Sequence, residues 1–122
     1  VFFENKQFPA VLPGRVKEVS FQGGDDSGYG NFIVVESRDP ATGGVVDVLY
    51  SHLASGSTLR AGQPIEVGQI IGRQGGTGRV RSADGTIASI DFLAPAPAGS
   101  KSMTPYSNYD QLRRSIAQQL GN

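Results

Sequence analysis

The chain has no cysteine, no tryptophan and a single histidine, His52, in 122 residues. Without cysteine, neither a disulfide framework nor a thiolate metal site can form. With one histidine, any site that needs two imidazoles from this chain is excluded. An excess of one charge is also missing: Lys plus Arg number 11, Asp plus Glu number 11, and the pI is near 6.8. That balance does not suit affinity built on phosphate neutralisation, so no nucleic-acid partner is expected. Nor does it suit polybasic docking on anionic lipid. No apolar run nears the ~18 residues of a spanning helix, so no membrane insertion is expected. The first residues lack a basic-then-apolar leader, although one removed before Val1 would leave no trace.

Glycine is abundant, at 17 residues, and with seven prolines it implies many tight turns between short strands. The length fits one domain. Period-2 alternation or β-rich runs predict strands over residues 15–21, 31–36, 45–52, 63–67, 69–71 and 86–93. The spacers carry turn chemistry: Gly23-Gly24-Asp25-Asp26-Ser27-Gly28, Asp39-Pro40-Ala41-Thr42-Gly43-Gly44 and Gly75-Gly76-Thr77-Gly78. The second of these predicts a hairpin. The expected fold class is mainly β: a small antiparallel sandwich or barrel with short edges and one C-terminal helix. Two fragments echo each other weakly, Gly14-Arg15-Val16 as Gly78-Arg79-Val80 and Gly62-Gln63 as Gly68-Gln69.

After residues 1–94, the β domain, the texture changes. Residues 95–106, rich in Pro, Ala, Gly and Ser, read as an extended linker that holds no ladder. Residues 107–122 read as an amphipathic helix, with Tyr109, Leu112, Ile116 and Leu120 at helical spacing. Ser107 and Asp110 have the spacing of a capping box, and Gly121 stands where a helix stops. The apolar stripe is expected to dock on the sheet.

Several segments, taken in order, carry a family resemblance. They are Ala10-Val11-Leu12-Pro13-Gly14-Arg15-Val16, Gly28-Tyr29-Gly30-Asn31, Leu49-Tyr50-Ser51-His52-Leu53, Gly62-Gln63, Gly68-Gln69-Ile70-Ile71-Gly72 and Gly76-Thr77-Gly78. Over about residues 8–94 the chain resembles the lysostaphin/LytM-type zinc endopeptidases that cut peptidoglycan cross-bridges. The resemblance implies the barrel-sandwich hybrid fold of LytM-like peptidases, the duplicated hybrid motif, and a place in the cell envelope, periplasmic or extracellular. In such enzymes His, Asp and His hold a tetrahedral zinc whose fourth position takes water. Two further imidazoles handle the proton and the oxyanion.

The positions that match the family's His-x-His strand are Ser89 and Asp91, so Ser89 replaces a catalytic imidazole and Asp91 a zinc ligand. Leu93 replaces the glutamate that follows, and residues 1–5 offer no His-x-x-x-Asp pair. Only His52 keeps its family identity. One carboxylate without imidazole or thiolate partners does not hold zinc, so no metal and no cofactor are expected. Asp25 and Asp26 read as turn residues rather than a calcium site, which needs six or more oxygens. His52 and Ser89 remain as relic groove positions. Ser89 as a nucleophile with His52 as its base is the sharpest enzymatic alternative, but neither an oxyanion hole nor an orienting acid stands at a recognised spacing. Tyr29, Tyr50, Arg73 and Arg79 are the candidate groove contacts, with Phe32 and Arg81 beside them. Arginine suits a carboxylate of a peptide or partner.

The resemblance with its ligands missing implies a catalytically inactive domain. Its groove would bind a protein partner, such as a cell-wall hydrolase, or peptidoglycan, and so regulate or scaffold wall remodelling. Two alternatives stay open. One is an active zinc endopeptidase whose ligands lie outside this chain; the other is a structural domain of an envelope or phage-tail assembly, with the helix as its handle.

Overall fold

The computed structural model describes residues 7–20, 31–51, 53, 58–73, 90–97 and 104–119. Seven strands and one helix lie within them: β1 Gln7–Pro9, β2 Gly14–Ser20, β3 Phe32–Arg38, β4 Val45–Tyr50, β5 Pro64–Ile65, β6 Ile70–Arg73, β7 Ile90–Leu93 and α1 Tyr109–Gln119. They form a five-stranded sheet in the order β5-β2-β3-β4-β7 and a two-stranded sheet of β1 and β6. Every pairing is antiparallel. The mainly β architecture with one C-terminal helix is the one expected.

β3 and β4 are the centre because their Ile- and Val-rich sequences suit a pleated, buried surface. Their register sets Ile33 against Tyr50, Val35 against Val48 and Ser37 against Val46. These residues share one face, since side chains alternate along a strand. Val16, Ile90 and Phe92 join that face through the neighbouring registers. On it sits the core, completed by Ala10, Val11, Leu12, Leu53, Leu59, Ile65 and Ile71. The opposite face carries Arg15, Glu36, Asp47, Leu49, Asp91 and Leu93.

The hairpin predicted at residues 39–44 is present. Asp39 N–H donates to the Gly44 carbonyl at 2.8 Å, and Gly43 N–H donates to the Asp39 carbonyl at 2.7 Å. The Asp39 carboxylate also accepts from Ala41 N–H at 2.8 Å, an Asx turn that closes the loop from inside.

The Gly-Gln echo is a structural repeat. Gly62 and Gly68 have φ of 90° and 86°. After each, a glutamine Oε1 accepts from the backbone N–H three residues earlier: Gln63 from Arg60 at 3.2 Å, Gln69 from Glu66 at 3.0 Å. Gly62 N–H donates to the Val16 carbonyl at 2.7 Å, and Gly68 N–H to the Ala10 carbonyl at 2.8 Å. Two identical turns six residues apart thus dock at two points six residues apart on the antiparallel segment, which ties the small sheet to the large one.

Three expectations need correction. β1 was not foreseen. Within its pairing with β6, Phe8 lies opposite Gly72. The supposed linker is joined to the sheet at its end: Ala94 N–H donates to Thr104 at 2.8 Å, Tyr106 N–H to Phe92 at 3.0 Å, and Leu93 bridges Pro105. The helix begins one residue later than the capping-box reading, for Asn108 provides the first carbonyl, accepting from Leu112 N–H at 3.0 Å. Leu112 and Ile116 are buried in the common core, so the docked reading of α1 holds. The turns at residues 23–28 and 75–78, and the terminal Leu120 and Gly121, lie outside the described residues.

Candidate functional site

The face opposite the core is where Asp91 stands. β7 alternates buried and half-buried, with Ile90 and Phe92 inward and Asp91 and Leu93 outward. Asp91 is opposite Leu49, a residue only 1% exposed, and diagonal to Asp47. Diagonal neighbours in a sheet are about 7–8 Å apart, so these two carboxylates are at most two donors, short of the three or four protein ligands a zinc site takes.

Asp47 is already engaged. Its Oδ2 lies 2.7 Å from Lys17 Nζ and accepts from Ala96 N–H at 3.1 Å. The pair is well shielded, at 16% exposure for the lysine side chain and 6% for the carboxylate. Asp47 Oδ1 is buried without a hydrogen-bond partner. This ion pair therefore anchors β2, β4 and the chain just after β7 at one point, beside Asp91 and on the same face.

A zinc ion is what the resemblance implies, and the described residues around Asp91 do not fit one. Beside Asp91 stand an apolar Leu49 and a carboxylate whose Oδ2 is held by an ammonium. Among the described residues no group of three His, Cys, Asp or Glu could hold a metal. His52, Ser89, Tyr29, Arg79 and Arg81 lie outside the described residues, as do Asp25, Asp26 and residues 1–5. Arg73 ends β6 opposite Gln7.

Tyr50 belongs to the core rather than to a groove wall. It is 0% exposed, and its hydroxyl oxygen accepts from Val11 N–H at 3.2 Å. Burial raises its pKa above the ordinary phenol range, an effect the Val11 hydrogen bond partly opposes. A fully buried ring offers no surface to a ligand. Phe32, at 2% exposure, is likewise enclosed.

Sequence reasoning missed the clamp on the residue after His52. The Asn31 carbonyl accepts from Leu53 N–H at 3.0 Å, and Asn31 Nδ2 donates to the Leu53 carbonyl at 3.1 Å. Asn31 is 1% exposed. A single asparagine thus holds both backbone groups of Leu53 and fixes where the chain leaves β4. The only signal was the pairing of Gly-x-Gly-Asn with Tyr-x-His-Leu as distant fragments.

No helix among the described residues is long and apolar enough to cross a membrane. A family model described as Peptidase family M23 matches residues 3–90. No curated protein sequence matches the chain. Among solved structures, a point mutant of the catalytic domain of the prophage-encoded M23 protein EnpA from Enterococcus faecalis is similar, at 21% identity and a TM-score of 0.60. That match covers 87% of this chain and 68% of the other, and it is a likeness of fold.

Proposed function

Because this chain belongs to peptidase family M23, we propose that it is a catalytically inactive member whose β scaffold binds a protein partner or peptidoglycan in the cell envelope. There, periplasmic or extracellular, it regulates or scaffolds wall remodelling, with a cell-wall hydrolase as the kind of protein it contacts. The observation that carries this reading is Asp91. By the sequence resemblance it stands where the family uses an imidazole; it is opposite Leu49 across the sheet and sits beside a carboxylate neutralised by Lys17. A chain with one histidine and no cysteine has no other imidazole or thiolate with which to complete a tetrahedral set.

Binding in this reading needs shape rather than a Lewis acid. The backbone that would frame a ligand is held without metal, by the Asn31–Leu53 clamp, the Lys17–Asp47 pair and the repeated Gly-Gln turns. Chelation therefore leaves the binding surface intact. The test is elemental analysis of the purified chain, with sedimentation on murein and capture of purified wall hydrolases, each with and without EDTA. Substoichiometric zinc and chelator-insensitive binding to murein or a hydrolase are expected. Tightly held zinc, murein cleavage by the isolated chain, loss of binding in EDTA, or binding to neither target would overturn the reading.

A further inference from the structure

At the end of the sheet opposite Tyr50, a hollow of about 400 Å³ is lined by Pro13, Gly14, Arg15, Glu36, Ser37, Arg38 and Val45. Val45 and Tyr50 are the two ends of β4, so the hollow lies about 17 Å along the strand from Tyr50 at ~3.4 Å per residue. It is therefore separate from the Asp91 region. Its volume falls within the range of small-ligand sites.

The chemistry of the hollow is set by two arginines. Arg15 is the cross-strand partner of Glu36, and Arg38 follows two residues later on the same face. Each guanidinium is tethered by a neutral backbone carbonyl: Arg15 Nη1 donates to Gly62 at 2.6 Å, and Arg38 Nη1 to Gly43 at 2.9 Å. Among the described residues neither arginine forms an ion pair. A guanidinium has five N–H donors, so each retains donors after its tether is made. Pro13 and Val45 supply an apolar margin.

We propose that this hollow is a second binding site, for the free carboxylate end of a short peptide. Tethered guanidiniums meet a carboxylate with paired, charge-assisted bonds and little loss of rotamer freedom. Glu36 selects the charge state: two guanidiniums and one carboxylate leave one net positive charge, which suits a monoanion better than phosphate dianion. The volume exceeds what a lone carboxylate fills, and the apolar margin can cover the residue that carries it.

The test is an amide-detected NMR titration of the chain with acetyl-diglycine, with its C-terminal amide, acetate and inorganic phosphate as comparisons. Saturable shifts at Gly14, Arg15, Ser37 and Arg38 are expected with acetyl-diglycine, and none with the amide. R15Q and R38Q should each weaken binding by about tenfold, since bonds to charged groups are the strong ones. Both arginines are exposed, and an otherwise unchanged spectrum verifies that each variant is folded. E36Q should strengthen phosphate binding. Weaker binding of acetate than of the peptide assigns the site to peptide ends; equal binding would overturn that assignment in favour of small free carboxylates. Equal binding of the amide, shifts centred elsewhere, no saturable shift, or unchanged affinity in the R15Q/R38Q double variant would overturn the site itself.

Discussion

Gly14 and Gly43 are glycine for different reasons, and the difference is measurable. A Cβ on Gly14 would collide with the Glu36 carbonyl oxygen and come within 2.7 Å of Ser37 Oγ, where β2 crosses β3. A Cβ on Gly43 meets nothing within 4 Å, so only its φ of +76° opposes a side chain. Gly14→Ala is expected to cost about 3 kcal/mol, at the upper end of overpacking. Gly43→Ala should cost about 1 kcal/mol, the penalty of the left-handed region. Urea unfolding of the two variants checks the order. Lys17 makes a different kind of contribution, because removing it strands a buried carboxylate. Lys17→Met should destabilise by about 3 kcal/mol, and adding Asp47→Asn should recover most of that loss, as a double-mutant cycle would record. Of these residues, Gly14 was legible as part of an Ala-x-x-x-Gly-x-Val fragment. The partner of Lys17 was not, since pairing across 30 residues of chain leaves no local pattern.

At the scale of elements, local rules located most strands and failed where a long-range contact decided the outcome. β3, β4 and their hairpin were readable because alternation, β-branched residues and an Asp-to-Gly loop agree. β1 has three residues and ends in proline, too short to display a period. Tyr50 was ambiguous because five of the six residues of β4, from Val46 onward, are buried, so alternation no longer marks the wet face. The return of residues 104–106 was masked by composition, since a proline-rich stretch signals a linker while its pairing with β7 is tertiary. That return is tied down by one side chain. Tyr106 Oη donates to Asp39 Oδ2 at 2.9 Å, and Asp39 is 0% exposed. Tyr106→Phe would leave a buried carboxylate oxygen short of a donor, at a cost of about 2 kcal/mol. Hydrogen exchange should localise the loosening to the 39–44 hairpin and α1 together; loosening of one alone would mean the bond does not couple them.

For the whole molecule, the scaffold and the chemistry are separable because they draw on different residues. The fold rests on the common core face, the two Gly-Gln turns and the Asn31 clamp, all built from groups that need no metal. A zinc centre, by contrast, requires ligands delivered from several segments to one point, and positions 89 and 91 alone cannot supply them. Ser89→His with Asp91→His would restore the two histidines of the family's His-x-His pattern, of which the resemblance makes only the second a zinc ligand. The family takes one ligand from that pattern and two from a segment upstream, which residues 1–5 do not provide. The double variant is thus expected to bind zinc no more tightly than an incomplete site, losing it on dialysis, and to leave murein uncut. Its melting temperature should also be unmoved by added zinc, because a ligand stabilises a fold only in proportion to how tightly the native state holds it. Zinc that survives dialysis, or a zinc-dependent rise in melting temperature, would mean that this chain brings further ligands to the same point, and the separation of scaffold from chemistry would fail.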